Sequence, residues 1–177
     1  KEILKIGFVG TAISPYYAEE QEVRKNSETQ LKKLLQNYDV ELISFHKTIF
    51  SKEDSIEAEK FLKNKVDFLL IQTSSCSSGE QLYPLCNISS KIGVWAVPDI
   101  EKEGDVRLHS LVSTSHYLGI IKKTLSDRKI KTKWFYNYAD TEEFKNKFLI
   151  TIKSLIAQKK LKQSRIGLIG GISPGFD

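Results

Sequence analysis

Hydrophobic and polar positions along this chain switch between short continuous apolar runs and longer stretches with helical spacing. Residues 3–10 (ILKIGFVG) form an apolar run ending in glycine, which predicts a buried strand followed by a turn. Beyond a loop at 11–17, residues 18–37 carry Val23, Leu31, Leu34 and Leu35 at helical spacing, with acids early and lysines late. Residues 40–45 return to strand. Ser51 followed by Asp54 predicts a capped second helix to about residue 64, with Ile56 and Phe61 as its apolar face. Residues 66–71 (VDFLLI) are apolar on both faces, as a central strand requires. A loop of small polar residues, 72–79, leads into a short helix over 80–87 that Pro84 limits. A fourth strand at 92–97 stops at Pro98. The helix expected over 107–126 has Leu108, Leu111, Val112, Leu118, Ile121 and Leu125 on its apolar side. An aromatic fifth strand follows at 133–138 (WFYNY after Lys133). The long helix at 141–161 is carried by Phe144, Phe148, Ile152 and Leu155. Residues 165–169 (RIGLI) read as a sixth strand.

Alternation of strand and helix over the first five strands calls for a parallel sheet covered on both sides, because parallel neighbours need crossover connections. The expected fold class is α/β: a three-layer, flavodoxin-like (Rossmann-like) parallel five-stranded sheet of order 2-1-3-4-5. Residues 1–163 would form this domain. The sixth strand opens a new turn, GGISPG, without its helix, so residues 164–177 are expected to begin a second domain. The absence of any Met, position 1 included, likewise suggests a piece of something longer. No internal repeat or low-complexity linker is evident.

Composition adds exclusions. With 40% hydrophobic and 28% charged residues among 177, the chain reads as an ordinary globular one. Uninterrupted apolar runs reach four residues, against the roughly 20 needed to cross a bilayer, so no membrane partner is expected. Lys+Arg 27 against Asp+Glu 22 leaves +5, but only Arg24, Arg107, Arg128 and Arg165 are Arg. Pairs such as Lys32-Lys33, Lys122-Lys123 and Lys159-Lys160 fall late in expected helices, where cations complement the negative helix end. A nucleic-acid surface calls for a concentrated basic stripe with exposed aromatics, so none is expected as a partner. Cys76 and Cys86 fit neither a CxxC pair nor a disulfide framework, and are expected as half-buried thiols in a reducing cytoplasm.

Residues with catalytic chemistry are sparse. His109 and His116, seven apart on one expected helix, lie about 10.5 Å apart along its axis, too far for one zinc ion. His46 reads as a lone loop residue, and Asp105, Arg107 and His109 as charges near a helix start. There is no GxSxG elbow and no GxxxxGK[ST] loop, and GGISPGF lacks GxGxxG spacing. Glu19-Glu20 and Glu142-Glu143 fall in first helical turns, where they complement the dipole.

Geometry is more informative. In the expected winding, strands one and three are neighbours whose crossovers go to opposite faces, so a crevice opens at their carboxyl ends. It would lie between residues 10–17 (GTAISPYY) and 72–79 (QTSSCSSG). The candidate substrate-binding residues are Thr11, Ser14, Tyr16, Tyr17, Ser74, Ser75, Cys76 and Ser77. Neutral hydroxyls with aromatics suit a polyol better than a phosphate, which calls for Arg or Lys; the other reading is two ordinary polar connections. Ser113, Thr114, Ser115 and Gly119 make one helix unusually small-sided, which suits either close approach of a neighbouring subunit or packing on its own sheet.

The pieces KIGFVGT, DFLLIQTSSCSSGE, IGVWAVPD, RLHSLV, KWFYNYAD and RIGLIGGISPGFD, in that order, resemble the amino-terminal part of the L-fucose isomerase and L-arabinose isomerase-like sugar isomerases. The resemblance implies a Mn²⁺-dependent aldose–ketose isomerase in carbohydrate metabolism. Its metal-binding Glu, Asp and His would lie beyond this segment, leaving no catalytic or metal residue and no cofactor here. The segment would contact a small-molecule sugar and pack against its own C-terminal domains and neighbouring subunits. Fucose isomerase itself has a Trp where this chain has Cys76, and basic residues in the first loop, so fucose is not implied as the sugar. The alternatives are a non-enzymatic sugar-binding α/β domain and, against the missing phosphate loop, a nucleotide- or flavin-binding protein.

Overall fold

The computed structural model describes residues 3–13, 22–99, 107–165, 167 and 170–171. The elements run β1 (Leu4–Thr11), α1 (Val23–Leu35), β2 (Val40–Ser44), α2 (Lys52–Leu62), β3 (Phe68–Thr73), α3 (Gly79–Leu85), β4 (Lys91–Ala96), α4 (Ser110–Lys123), β5 (Lys131–Tyr136) and α5 (Glu142–Gln163). The five strands form one parallel sheet in the order β2-β1-β3-β4-β5. Helices cover both faces, so the fold is the flavodoxin-like α/β class that the alternation predicts. No helix among the described residues is long and apolar enough to cross a membrane. The expected sixth strand falls mostly on residues outside those described, as do Ser14, Tyr16, Tyr17, Glu19, Glu20 and Asp105.

Successive strand residues point to opposite faces, which sorts the core into two layers. Ile6, Phe8, Phe68, Leu70, Trp95 and Phe135 pack with Leu31 of α1 and with Phe144, Phe148 and Ile152 of α5. Val9, Leu69, Ile71, Ile92 and Val94 pack with Ala58, Leu62, Leu82, Tyr117 and Ile121 of α2, α3 and α4. The expected α5 stripe is thus buried in the first layer. Gly93 leaves room there: a Cβ at this position would lie 2.6 Å from Phe68 Cζ and 2.9 Å from Phe135 Cε2.

Caps set several helix starts. Ser51 and Asp54 form a reciprocal capping box on α2, and Ser78 and Gln81 form another on α3. Thr141 caps α5 by accepting from the Phe144 N–H. Pro84 sits in the last turn of α3 rather than ending it outright.

Two helix faces differ from expectation. Ile56 and Phe61 of α2 are 37% and 40% exposed, while Ser55, Ala58 and Leu62 are buried. On α4, Leu111 and Val112 are 48% and 64% exposed, and the inward face is Ser110, Ser113, Thr114, Tyr117 and Ile121. The reason is local. The first turn of α4 rests on the polar end of β3, where hydroxyls find partners that leucine and valine could not supply. β3 correspondingly runs to Thr73, two residues beyond its expected end, and β5 ends at Tyr136, two residues before. The thiols also differ from one another: Cys86 is buried and only Cys76 is partly exposed.

Candidate functional site

β1 and β3 pair in parallel from Ile6↔Phe68 to Thr11↔Thr73, so their carboxyl ends lie side by side. α1 leaves β1 toward one face and α3 leaves β3 toward the other, which is the winding that makes a switch point.

Alternation continues into the polar end of β3. Gln72 points to the α1 layer, where its Nε2 donates to Ser27 Oγ at 2.6 Å and its Oε1 accepts from Ser74 Oγ at 2.8 Å. Thr73 points to the α4 layer. Its hydroxyl lies 2.8 Å from both the Ser110 carbonyl and Thr114 Oγ1, and Ser110 Oγ donates back to the Thr73 carbonyl. Neither Gln72 nor Thr73 has exposed surface. Buried polar groups of this kind are costly unless paired, and each is paired across layers.

The candidate hydroxyls belong to this same network. Thr11 Oγ1 and Ser77 Oγ are 2.9 Å apart, and the Thr11 carbonyl accepts from the Ser74 N–H at 2.8 Å. Ser77 Oγ donates to the Ser75 carbonyl, and its N–H donates to Ser113 Oγ. Thr11, Ser74 and Ser75 have no exposed surface and Ser77 is 5% exposed, which leaves Cys76 as the partly exposed side chain of that set. The structure therefore brings Thr11, Ser74, Ser75 and Ser77 together with their hydroxyls turned inward. Ser113 and Thr114 are used inside the domain, while Ser115 and Gly119 face outward.

Gln81 knots the surrounding loops. Its Nε2 donates to the carbonyls of Ala12 at 2.8 Å and Ile49 at 3.3 Å. Its Oε1 accepts from the Ser78 N–H at 2.9 Å and from the Tyr117 hydroxyl at 3.3 Å. One amide thus holds the exits of β1 and β3, the segment after β2 and helix α4. Burial raises the Tyr117 phenol above its ordinary value, only partly offset by the Thr11 and Ser77 hydroxyls beside it. Sequence reasoning missed Gln72, Thr73, Gln81, Ser110 and Tyr117; the available signal was a polar QT directly continuing an apolar strand.

Beside this edge, on the α1 flank, lies a hollow of about 540 Å³ whose lining includes Val23, Asn26, Ser27, Gln30, Tyr138 and Asp140. Among the described residues no cationic side chain lines it. The Oε1 of Gln30 is buried and finds no hydrogen-bond partner among the described residues. Tyr138 is held by its hydroxyl to the Pro98 carbonyl at 2.9 Å, and burial together with Asp99 raises its pKa.

No family model and no curated protein matches the chain. Among the described residues no three His, Cys, Asp or Glu side chains are grouped to hold a metal ion. The described residues offer Mn²⁺ no ligand set.

Proposed function

We propose that this domain binds a neutral sugar at the carboxyl edge of its sheet, as the substrate-contacting and oligomerisation part of an aldose–ketose isomerase. The observation that carries the reading is the α1-flank hollow. Its wall of amides, hydroxyls, one carboxylate and an aromatic ring presents hydrogen-bond acceptors and donors, with no cation among the described residues. A polyol matches that wall, whereas a phosphate would ask for Arg or Lys. The buried Gln72–Ser27 hydrogen bond ties the α1 wall of the hollow to β3. The resemblance of the sequence to sugar isomerases supplies the reaction class.

The test is titration of the 177-residue chain with a panel of aldoses and ketoses, followed by calorimetry or amide chemical shifts. Asp140→Asn should weaken the preferred sugar several-fold, since each hydrogen bond to a neutral hydroxyl is worth about 0.5–1.5 kcal/mol. The parent protein, supplied with Mn²⁺, should interconvert that sugar and its ketose. Binding without interconversion by the parent would leave a sugar-binding domain and remove the isomerase. No saturable binding of any sugar would remove the reading altogether.

A further inference from the structure

The opposite edge of the sheet carries a different chemistry. A hollow of about 300 Å³ opens where β4 begins and α5 ends, and its polar lining includes Ser89, Ser90, Lys91, Lys159, Lys162 and Asp67. Asp67 is the one acid among the described lining residues. Its Oδ2 is already engaged, by Lys159 Nζ at 2.7 Å and by the Lys5 N–H at 2.8 Å. Lys131 adjoins the hollow, since β5 pairs with β4 through Lys91↔Lys131. Three lining lysines, with a fourth beside them, thus stand against one carboxylate, and the Lys91 Nζ donates to Gln158 Oε1 at 3.0 Å. The carbonyls at the end of α5 add about half a negative charge, which leaves a clear cationic excess.

We propose that this hollow is a binding site for a small, multiply charged phosphoryl anion. A concave site favours a compact ligand over an extended one. Lys91 and Lys159 come from different elements, β4 and α5, so the two lysines line the hollow from two directions. The Ser90 hydroxyl on the β4 side adds a neutral donor for phosphoryl oxygens, whereas the Ser89 hydroxyl already donates to the Asp67 carbonyl at 3.2 Å. The electrostatics agree: desolvation and the neighbouring Lys162 and Lys131 hold the Lys91 ammonium below its ordinary pKa, against the opposing pull of Asp67. A bound dianion would relieve that mutual repulsion. The site lies at the amino edge and is independent of the sugar reading, which concerns the carboxyl edge.

The probe is inorganic pyrophosphate, titrated into the 177-residue chain at constant ionic strength and followed by amide chemical shifts. Saturable shifts are expected at Ser89, Ser90, Lys91, Lys131 and residues 158–162. Lys162→Glu, on the exposed end of α5, should weaken binding about tenfold or more, the scale of a lost charge-assisted contact. Lys32→Glu on α1, a change of the same charge elsewhere, should leave it unaltered. Equal weakening by both variants would show a response to net charge alone and overturn the proposal. So would the absence of saturation with pyrophosphate, or tighter binding of a 12-nucleotide single strand, which would point to an extended polyanion surface. Citrate binding as tightly as pyrophosphate would overturn the phosphoryl assignment. Native circular dichroism of each variant separates loss of binding from loss of fold.

Discussion

Replacing Gln81 tests whether the carboxyl edge is held by one buried amide. Gln81→Met keeps the length and much of the volume of the side chain, so the cavity contribution should be small. It removes the donor to the Ala12 carbonyl, on a residue with no exposed surface. An orphaned buried acceptor costs about 1–3 kcal/mol. It also removes the reciprocal half of the α3 capping box, worth about 0.5–2 kcal/mol by analogy with cap deletions. The Ile49 carbonyl keeps the Ala12 N–H at 2.9 Å, and Tyr117 has the Thr11 and Ser77 hydroxyls beside it, so those losses are smaller. The expected destabilisation is about 2–4 kcal/mol, or a fall in Tm of about 4–16 °C for a domain of this size. Urea unfolding followed by tryptophan fluorescence measures it. Gln81→Glu separates the donor from the shape. Buried against two carbonyls, the introduced carboxyl should have a folded-state pKa raised above its unfolded value of about 4.3. Protonated, it can donate to Ala12; ionised, it cannot. The variant should therefore approach wild-type stability below about pH 4 and fall behind as pH rises through the raised folded value. Equal deficits at pH 4 and pH 8, or a loss below about 0.5 kcal/mol in Gln81→Met, would refute the role assigned to this amide.

Other consequences follow from the same structure. Thr73→Val, nearly isosteric, should cost about 1–3 kcal/mol in urea unfolding because it deprives the buried Thr114 hydroxyl and Ser110 carbonyl of their 2.8 Å partner. Gly93→Ala forces a Cβ against Phe68 and Phe135 and should cost about 1–3 kcal/mol by overpacking, with near-ultraviolet dichroism reporting the displaced rings. Burial pushes the Cys86 thiol up to about 12, so iodoacetamide at pH 8 should label Cys76 first and Cys86 only on unfolding; simultaneous labelling of both in the native protein would contradict the packing. Burial would raise the Asp54 carboxyl, but hydrogen bonds from Lys47, the Phe50 N–H and Ser51 outweigh it and hold the pKa below its ordinary value. Its stabilisation is therefore present above about pH 4 and lost as pH falls through the folded value, and Asp54→Asn should flatten the acid limb of the stability profile.

The fold was legible because the dominant signal is periodic. Apolar strands buried on both faces, and the Phe144, Phe148, Ile152 and Leu155 stripe, follow from geometry that each segment carries within itself. The Ser51–Asp54 cap was readable for the same reason. Helix faces failed where burial is decided by the layer beneath. Leu111 and Val112 look like core residues in a hydropathy pattern, yet α4 turns Ser110, Ser113 and Thr114 inward because Thr73 waits there. Ile56 and Phe61 fail similarly: the side of α2 facing α3 is served by Ala58 and Leu62, packed with Leu82 and Leu85.

The candidate site was legible in place but not in arrangement. Order 2-1-3-4-5 puts the β1 and β3 loops together whatever their side chains, so location follows from topology. What each hydroxyl does depends on partners far along the chain: Thr11 meets Ser77 across 66 positions, and Ser77 meets Ser113 across 36. No local pattern announces those pairings. They change what the loops can do. A serine-rich loop read alone suggests adaptable donors turned toward a ligand, whereas here the hydroxyls hold the backbone from beneath. Each hydroxyl so engaged has little freedom left to reorient, and the groups above it inherit that rigidity. On the proposed sugar reading, selectivity at this edge comes from side chains outside the network, such as Cys76 on the second loop and Asn26 and Asp140 on the α1 flank. On that reading, a wall fixed through Ser27 and Gln72 lowers the ordering cost of binding and sharpens discrimination between stereoisomers, because a misplaced hydroxyl cannot be followed by the protein. Substitutions within the network should consequently alter stability first, while substitutions at Asp140 should alter sugar preference with stability nearly unchanged.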